Sequence, residues 1–299
     1  MQSEIILLDG GMGKHLERSG APFRQPEWSA LALLEDPDSV RGAHTDFIVA
    51  GADVIITNSY GVVPFHLGDD RFAVRGRELA TLAGRLAREA ADAADRPVRV
   101  AGSLPPLFGS YEPALFRPAD APPMYDTLVE AQAPFVDLWI AETVSSIAEA
   151  RVIIDAVDRA NPNAEIWMSF TVPDDQPGSE VGLRSGESIA DAVSSVEDRV
   201  AAFLFNCSPP EAITVALGHL HEALGANPRG IRYGAYANAF VPKMPGYAAN
   251  EFVLGRRDDL TPDDYHDICA GWMEDGATII GGCCQMFPEH IEALTALRR

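Results

Sequence analysis

Three cysteines stand where predicted strands end, and thiols in such positions could hold a metal ion. Cys207 closes the segment "FLFNC", and Cys283 and Cys284 follow two glycines in "IIGGCC". Thiolates bind zinc at about 2.3 Å, and three protein ligands leave one position of a tetrahedral ion open for a substrate. The spacing matches no zinc ribbon or finger, and cysteine is also an ordinary small core residue. The residues therefore predict a Zn2+ site, with three inert core thiols as the alternative.

Two glycines before the paired cysteines bear on how adjacent side chains could reach one ion. Successive residues of a strand point to opposite faces of the sheet, so both sulfurs can converge only where the backbone turns. Because glycine adopts turn conformations at little steric cost, we expect the turn at Gly281 and Gly282. The fourth cysteine, Cys269, lies within a predicted helix and is expected to be core packing.

A zinc ion with three thiolates has a formal charge of −1, which makes it a weak Lewis acid. Such a site suits the activation of a thiol rather than of water. The ion displaces the thiol proton near neutral pH, where a free thiol with a pKa of about 8.5 is mostly protonated. The predicted chemistry is therefore attack by a substrate thiolate on an electrophile.

Two carboxylates and a glycine turn could bind the other end of an amino-acid substrate. Asp9 and Glu142 end predicted strands and could accept charge-assisted hydrogen bonds from an α-ammonium group. The backbone amides of Gly10, Gly11 and Met12 precede a predicted helix and could bind the α-carboxylate. The alternatives are a helix N-cap for Asp9 and a salt bridge for Glu142.

Apolar runs alternating with amphipathic stretches predict the elements that carry these residues. The eight runs are 5–10, 53–61, 98–103, 138–143, 165–172, 200–207, 232–239 and 277–284. Near-continuous apolar runs are typical of parallel strands buried on both faces. Eight strand-then-helix units in 299 residues predict an α/β fold, a (β/α)8 TIM barrel forming a single domain over residues 1–299. An open doubly wound sheet is the alternative, but "DGGMGKHLERSG" does not fit its G-x-G-x-x-G fingerprint.

Two amphipathic stretches give specific helix predictions. In residues 74–95, one apolar face is marked at helical spacing by Val74, Leu79, Leu82 and Leu86. The stretch 145–160 opens with a serine cap.

Long loops rich in proline and glycine follow the third, fifth and seventh predicted strands. In a barrel these loops share the C-terminal face, where ligands bind. Polar residues at other strand ends would meet there, and a pocket-lining role is predicted for Thr57, Asn58, Tyr60 and Asn238. Asn238 could equally be an ordinary asparagine at the start of a loop.

Charge and hydropathy exclude several classes of partner. The chain has 44 acidic and 23 basic residues, so its net charge is 23 − 44 = −21, which disfavours binding to nucleic acid or to an anionic membrane. No apolar run approaches the roughly 18 residues of a membrane span. The start of the sequence shows neither signal nor transit peptide, so we expect a reducing, cytoplasmic location in which disulfides are disfavoured. The sequence does not predict the oligomeric state.

Six segments resemble, in order and across nearly the whole chain, the homocysteine S-methyltransferase family. They are "LLDGGMGKHLERSG", "HTDFIVAGADVIITNSYG", "AGSLPP", "AETVSSIAEA", "FNCS" and "GATIIGGCCQMFPEHI". The resemblance implies a zinc-containing barrel that methylates homocysteine to methionine, a reaction of methionine biosynthesis. It places the three zinc ligands of the family at Cys207, Cys283 and Cys284.

The same resemblance implies that the amino acid binds at Asp9 and Glu142, beside the Gly10–Gly11 turn. The sequence departs from the family at Gln285 and Met286, where small residues usually follow the paired cysteines. This departure predicts an altered pocket wall or donor side.

The methyl donor is expected to be a small molecule, because no folate- or cobalamin-binding module follows the eighth unit. A sulfonium such as S-methylmethionine or S-adenosylmethionine is the first prediction, and betaine or another onium compound is the second. A cationic donor suits the negative metal site and the aromatic residues of the loops, which are Phe108, Tyr111, Phe240, Tyr247 and Phe252.

Two further classes of function stay open at this point. A barrel that binds zinc or an amino acid without catalysis would keep the same ligands. A cysteine-based redox protein is disfavoured, because the sequence has no C-x-x-C motif.

Overall fold

The computed structural model describes residues 5–174, 181–243, 247, 249–251 and 254–298. It contains eight parallel strands: β1 (Ile6–Leu7), β2 (Val54–Ile56), β3 (Arg99–Leu104), β4 (Leu138–Val144), β5 (Ile166–Phe170), β6 (Ala202–Asn206), β7 (Arg232–Ala237) and β8 (Ile279–Gly282). They pair in the order β1-β8-β7-β6-β5-β4-β3-β2, and a bridge between Leu8 and Val54 brings β1 beside β2. The sheet therefore closes into a barrel, and the predicted α/β TIM barrel is confirmed.

Helices follow the strands along the chain. They are α1 (Met12–Arg18), α2 (Ala30–Glu35), α3 (Pro37–Val49), α4 (Pro64–Leu67), α5 (Asp69–Asp92), α6 (Ala121–Gln132), α7 (Ile147–Ala160), α8 (Ile189–Val196), α9 (Pro210–Leu224), α10 (Pro262–Glu274) and α11 (Pro288–Leu294). The predicted serine cap is confirmed, because the Ser146 side chain accepts a hydrogen bond from the Glu149 amide at the start of α7. None of the helices in the described residues combines the length and the apolar character needed to cross a bilayer.

Apolar side chains form separate cores inside and outside the barrel. The inner core is built from residues of alternating strand register, among them Leu138 with Ile140 and Ala202 with Leu204. Residues two apart on a strand share a face, so these side chains fill the barrel. The outer core lies between strands and helices and includes Cys269 of α10, which is fully buried, as predicted.

The predicted apolar face of α5 is wrong at one position. Leu79 and Leu86 are buried, but the Val74 side chain is 83% exposed. Each helical residue turns by about 100°, so Val74 lies about 140° around the axis from Leu79. The buried face is completed instead by residues such as Phe72 and Ala83.

Because of His44 in α3, the free energy of unfolding should decrease at acidic pH. The imidazole is fully buried, neither ring nitrogen has a hydrogen-bond partner in the described part of the chain, and burial lowers its pKa to about 3. An unfolded histidine has a pKa of about 6.5, so the unfolded state binds more protons as the pH falls below that value. Stability is then lost by up to about 1.4 kcal/mol per pH unit between about pH 6.5 and pH 3.

We expect His44→Leu to flatten the loss of unfolding free energy between about pH 7.5 and pH 5, measured by urea denaturation. A smaller slope should remain, because burial also lowers the pKa of His66 to about 4. His266→Leu, which changes a partly exposed histidine of α10, is the matched control and should keep the parent slope. An unchanged slope in His44→Leu would contradict the assignment.

Candidate metal centre and substrate pocket

Three sulfur atoms meet at the C-terminal end of the barrel. Cys207 directly follows β6, and Cys283 and Cys284 directly follow β8. Their Sγ atoms all lie within 4.8 Å of one another, with 3.6 Å between Cys207 and Cys284 and 2.8 Å between Cys207 and Cys283. A disulfide bond measures about 2.05 Å, and all three residues are free thiols. The structure thus brings together the three cysteines that the sequence singled out.

The cluster fits a tetrahedral metal ion. Ion–sulfur distances of about 2.3 Å separate the sulfurs of a tetrahedral site by about 3.8 Å. The Cys207–Cys284 separation is close to that value, and the Cys207–Cys283 pair would open by about 1 Å, which is within the reach of side-chain rotation. Soft thiolate donors favour ions such as Zn2+ or Cu+ over Mg2+ or Ca2+.

The chain turns after the two glycines and not at them, so the predicted location of the turn is wrong. Gly281 and Gly282 belong to β8, where they pair with β7. The turn follows, because the Met286 amide donates to the Cys283 carbonyl (3.0 Å) and Gln285 has φ 67°.

The glycines serve close packing instead. A Cβ on Gly281 would lie 2.5 Å from the Cβ of Leu8, and a Cβ on Gly282 would lie 2.4 Å from that of Met286. A side chain at either position would push β8 away from its neighbours, and the cysteines would move with it.

Gln285 and Met286, where the sequence departs from its family, form part of this turn. Both are buried, and the Met286 carbonyl accepts a hydrogen bond from the Gly11 amide (2.8 Å). Neither residue lines the pocket described below. Their contribution is to hold the paired cysteines against the turn that precedes α1.

Cys207 has the polar surroundings that favour ionisation. Hydrogen bonding with the Cys283 and Cys284 thiols holds the pKa of the Cys207 thiol well below its usual range, and Tyr111 adds to that effect. Burial raises the pKa of Cys283. The surroundings of Cys207 therefore favour its thiolate form.

The sulfurs open onto a cleft at the mouth of the barrel. Its lining includes most of the predicted substrate residues, which are Asp9, Gly10, Gly11, Met12, Thr57, Asn58, Tyr60 and Glu142. It also includes Trp28, which the sequence analysis did not identify and which follows α1 in a segment without an apolar period. Asn238 is not among the lining residues: its side chain accepts a hydrogen bond from the Phe240 amide (3.1 Å), the loop-start role.

Two buried carboxylates face the cleft. Asp9 accepts a hydrogen bond from the Ile56 amide (2.8 Å), while Glu142 accepts bonds from Ser103 and from Tyr236 (3.5 Å). Burial raises the pKa of Asp9 well above its usual range and that of Glu142 to about 7.

Neither alternative considered for these carboxylates is seen. The N-cap of α1 is Gly11 and not Asp9, and neither Asp9 nor Glu142 forms a salt bridge within the described ranges. A cationic group entering the cleft would offset the cost of burying them as charges.

Some of the polar groups predicted to bind the substrate already form hydrogen bonds within the protein. The Gly11 amide is engaged by Met286, so the α-carboxylate site stays a prediction for the amides of Gly10 and Met12. Thr57 donates to Gln132 (2.6 Å). Asn58 is among the lining residues and donates to the Ser29 carbonyl (3.1 Å), while its buried Oδ1 has no partner in the described residues.

Protein cations already occupy two of the aromatic rings predicted to bind a cationic donor. Lys243 and Arg184 lie 4.6 and 4.8 Å from the centre of the Tyr111 ring, and Arg117 lies 4.0 Å from that of Phe108. Phe240 and Tyr247 line the cleft together with Trp28. Phe252 lies outside the described residues.

Comparisons with known proteins agree with this arrangement. A sequence model of the family described as homocysteine S-methyltransferase matches residues 6–297. The homocysteine S-methyltransferase of Escherichia coli (strain K12) is 31% identical over 331 residues, covering 99% of this chain and 96% of the relative. The selenocysteine methyltransferase of Astragalus bisulcatus is 29% identical, covering 96% of this chain and 90% of the relative.

A solved structure shares both the fold and the sequence pattern. The homocysteine methyltransferase MmuM from Escherichia coli, in its metallated form, superposes with a TM-score of 0.77 at 29% identity. The match covers 99% of this chain and 97% of that one.

Proposed function

This chain belongs to the homocysteine S-methyltransferase family, and we propose that it methylates homocysteine to methionine with a small onium compound as methyl donor and zinc as metal ion. The observation that carries the proposal is the cluster of Cys207, Cys283 and Cys284 beside two buried carboxylates that have no cationic partner among the described residues. The cluster matches the thiol end of homocysteine, and the carboxylates match its ammonium end.

Zinc is the ion that best fits the donor set. Three thiolates form a soft site, and the cleft leaves a fourth position accessible. When bound, a zinc ion would lower the pKa of the substrate thiol enough to yield a thiolate near neutral pH. The related MmuM structure is described as metallated, which supports a metal in this chain as well.

The protein side chains would orient the substrate. Asp9 and Glu142 line the cleft and would accept hydrogen bonds from the α-ammonium group. Holding the amino-acid end fixes where the sulfur lies, so that the reacting atoms can align.

The methyl step needs no general base once the thiol proton has left. An electron pair of the substrate sulfur forms the new bond to the methyl carbon. The bond from that carbon to the onium atom breaks, and its electrons neutralise the leaving sulfonium or ammonium. The product is methionine together with an uncharged thioether or amine.

A sulfonium is the favoured donor, with betaine as the alternative. The negative thiolate site and the aromatic residues Trp28, Phe240 and Tyr247 favour a cation in the cleft. The rings of Tyr111 and Phe108 already contact protein cations. We therefore assign donor binding to Trp28, Phe240 and Tyr247.

The metal prediction is tested by elemental analysis of the purified protein. We expect about one zinc ion per chain and loss of most of it in Cys207→Ser, because a hydroxyl does not ionise to replace the thiolate. Cys269→Ser, which changes a buried thiol of α10 outside the cluster, is the matched control and should keep its zinc. Equal zinc in the two variants would contradict the ligand assignment.

The activity is tested by supplying homocysteine with a panel of donors: S-methylmethionine, S-adenosylmethionine and betaine. We expect methionine from a sulfonium donor, and selenocysteine as acceptor would test the likeness to the selenocysteine methyltransferase. Zinc-loaded protein that forms no methylated product with any donor would instead support a binding protein.

Glu142→Gln tests the ammonium site. Loss of a charge-assisted hydrogen bond worth about 1.5–3 kcal/mol predicts a KM for homocysteine about 10- to 100-fold higher. Glu149→Gln is the matched control, because burial also raises the pKa of Glu149 to about 7, yet Glu149 does not line the cleft. A thiol acceptor without an amino group should react equally with parent and Glu142→Gln. A matching loss with that thiol would argue against ammonium binding.

A further inference from the structure

A buried ion cluster lies behind Cys207, between the loops that follow β5 and β7. The side chains of Lys243 and Asp174 are only 4% and 3% exposed. The Lys243 Nζ lies 3.2 and 3.3 Å from the two carboxylate oxygens of Asp174, and Arg184 binds the same carboxylate (2.6 Å). The Lys243 amide also donates to Asp174 (2.8 Å), so the carboxylate holds both ends of the lysine.

The lysine reaches a predicted metal ligand directly. Its Nζ donates to the carbonyl oxygen of Cys207 (3.0 Å). It also lies 4.6 Å from the centre of the Tyr111 ring, and Tyr111 helps to lower the pKa of the Cys207 thiol. Lys243 therefore contacts both the backbone of Cys207 and an aromatic ring that influences its sulfur.

Cys207 needs such restraint because its backbone is in the left-handed region, with φ 52°. That conformation costs a residue with a side chain about 1–2 kcal/mol and persists only where the surroundings impose it. It directs the sulfur towards Cys283 and Cys284, although β6 and β8 are not neighbours in the sheet. A hydrogen bond to its carbonyl fixes the peptide plane that follows the strained residue.

The positive charge of Lys243 has a second effect, on the electrostatics of the thiolate site. Three thiolates with a divalent ion have a formal charge of −1, and a substrate thiolate would make it −2. Lys243, Arg184 and Asp174 together contribute +1 from within the protein, where water screens little. A buried ion pair is weak evidence of stabilisation by itself, so its contact with Cys207 points to another role.

We infer that Lys243, anchored by Asp174, is a positioning residue of the metal centre: it holds Cys207 in its left-handed conformation and offsets the negative charge of the thiolate site. The inference rests on the proposed zinc site. It does not require a particular methyl donor.

The test measures zinc affinity by chelator competition in Lys243→Met, which keeps an unbranched side chain of similar length and removes its charge. Loss of a group that orients a metal ligand typically weakens metal binding about 10- to 100-fold, and we expect a loss in that range. Lys243→Arg keeps the charge with different geometry and should recover part of the affinity. The absorption spectrum of the Co2+-substituted protein should also change in Lys243→Met, because the Cys207 ligand is less well fixed.

Arg199→Met provides the matched control. It removes another partly buried ion pair, between Arg199 and Asp158, at the opposite end of the barrel. Zinc affinity should stay at the parent value. A loss equal to that of Lys243→Met would show that general destabilisation explains the effect and would overturn the inference.

The remaining outcomes separate this inference from the proposed function. Parent zinc affinity in a folded Lys243→Met protein overturns the role of the lysine alone, whereas absence of zinc from the parent overturns the proposed metal site. If Lys243→Met does not fold, Lys243→Arg decides the question: weakened affinity supports the inference, and parent affinity overturns it.

Discussion

The convergence of three sulfurs from strands that are not neighbours is the constraint on which the rest of the site depends. A regular strand alternates its side chains between two faces, so adjacent cysteines on β8 would point apart. In the described segments that carry these cysteines, the backbone enters the left-handed region at Cys207 (φ 52°) and at Gln285 (φ 67°). Both departures are at residues other than glycine, where they are costly, and packing must therefore maintain them.

Close packing and hydrogen bonds from several parts of the barrel stabilise these backbone conformations. Gly281 and Gly282 let β8 lie against Leu8 and Met286, and the Gly11 amide binds the turn that carries the cysteines. On the β6 side, Lys243 contacts the carbonyl of Cys207. The three cysteines and the turn before α1 are thus linked, which holds the sulfurs in a fixed relation to the cleft.

Charge is distributed unevenly around the cleft. Asp9 and Glu142 face it without a cationic partner in the described residues, while Lys243 and Arg184 lie behind the cysteines with Asp174 between them. The open side can accept an ammonium or an onium group, and the closed side balances the thiolates. Under the proposed function, this separation would let one small site hold both a nucleophilic anion and cationic substrate groups.

The sequence by itself determined the barrel, the three cysteines and most of the cleft. Apolar runs at regular intervals predict the strands locally, and polar residues at strand ends must meet once parallel strands close into a barrel. The tertiary structure decided features that depend on distant atoms: the exposure of Val74, the packing role of Gly281 and Gly282, and the loop-start role of Asn238. It also determined the pairing of Lys243 with Asp174, which lie on long loops and are 69 residues apart in the sequence. Loops have no periodic pattern that records their contacts, so only the folded chain shows which of their charges lie behind the cysteine cluster.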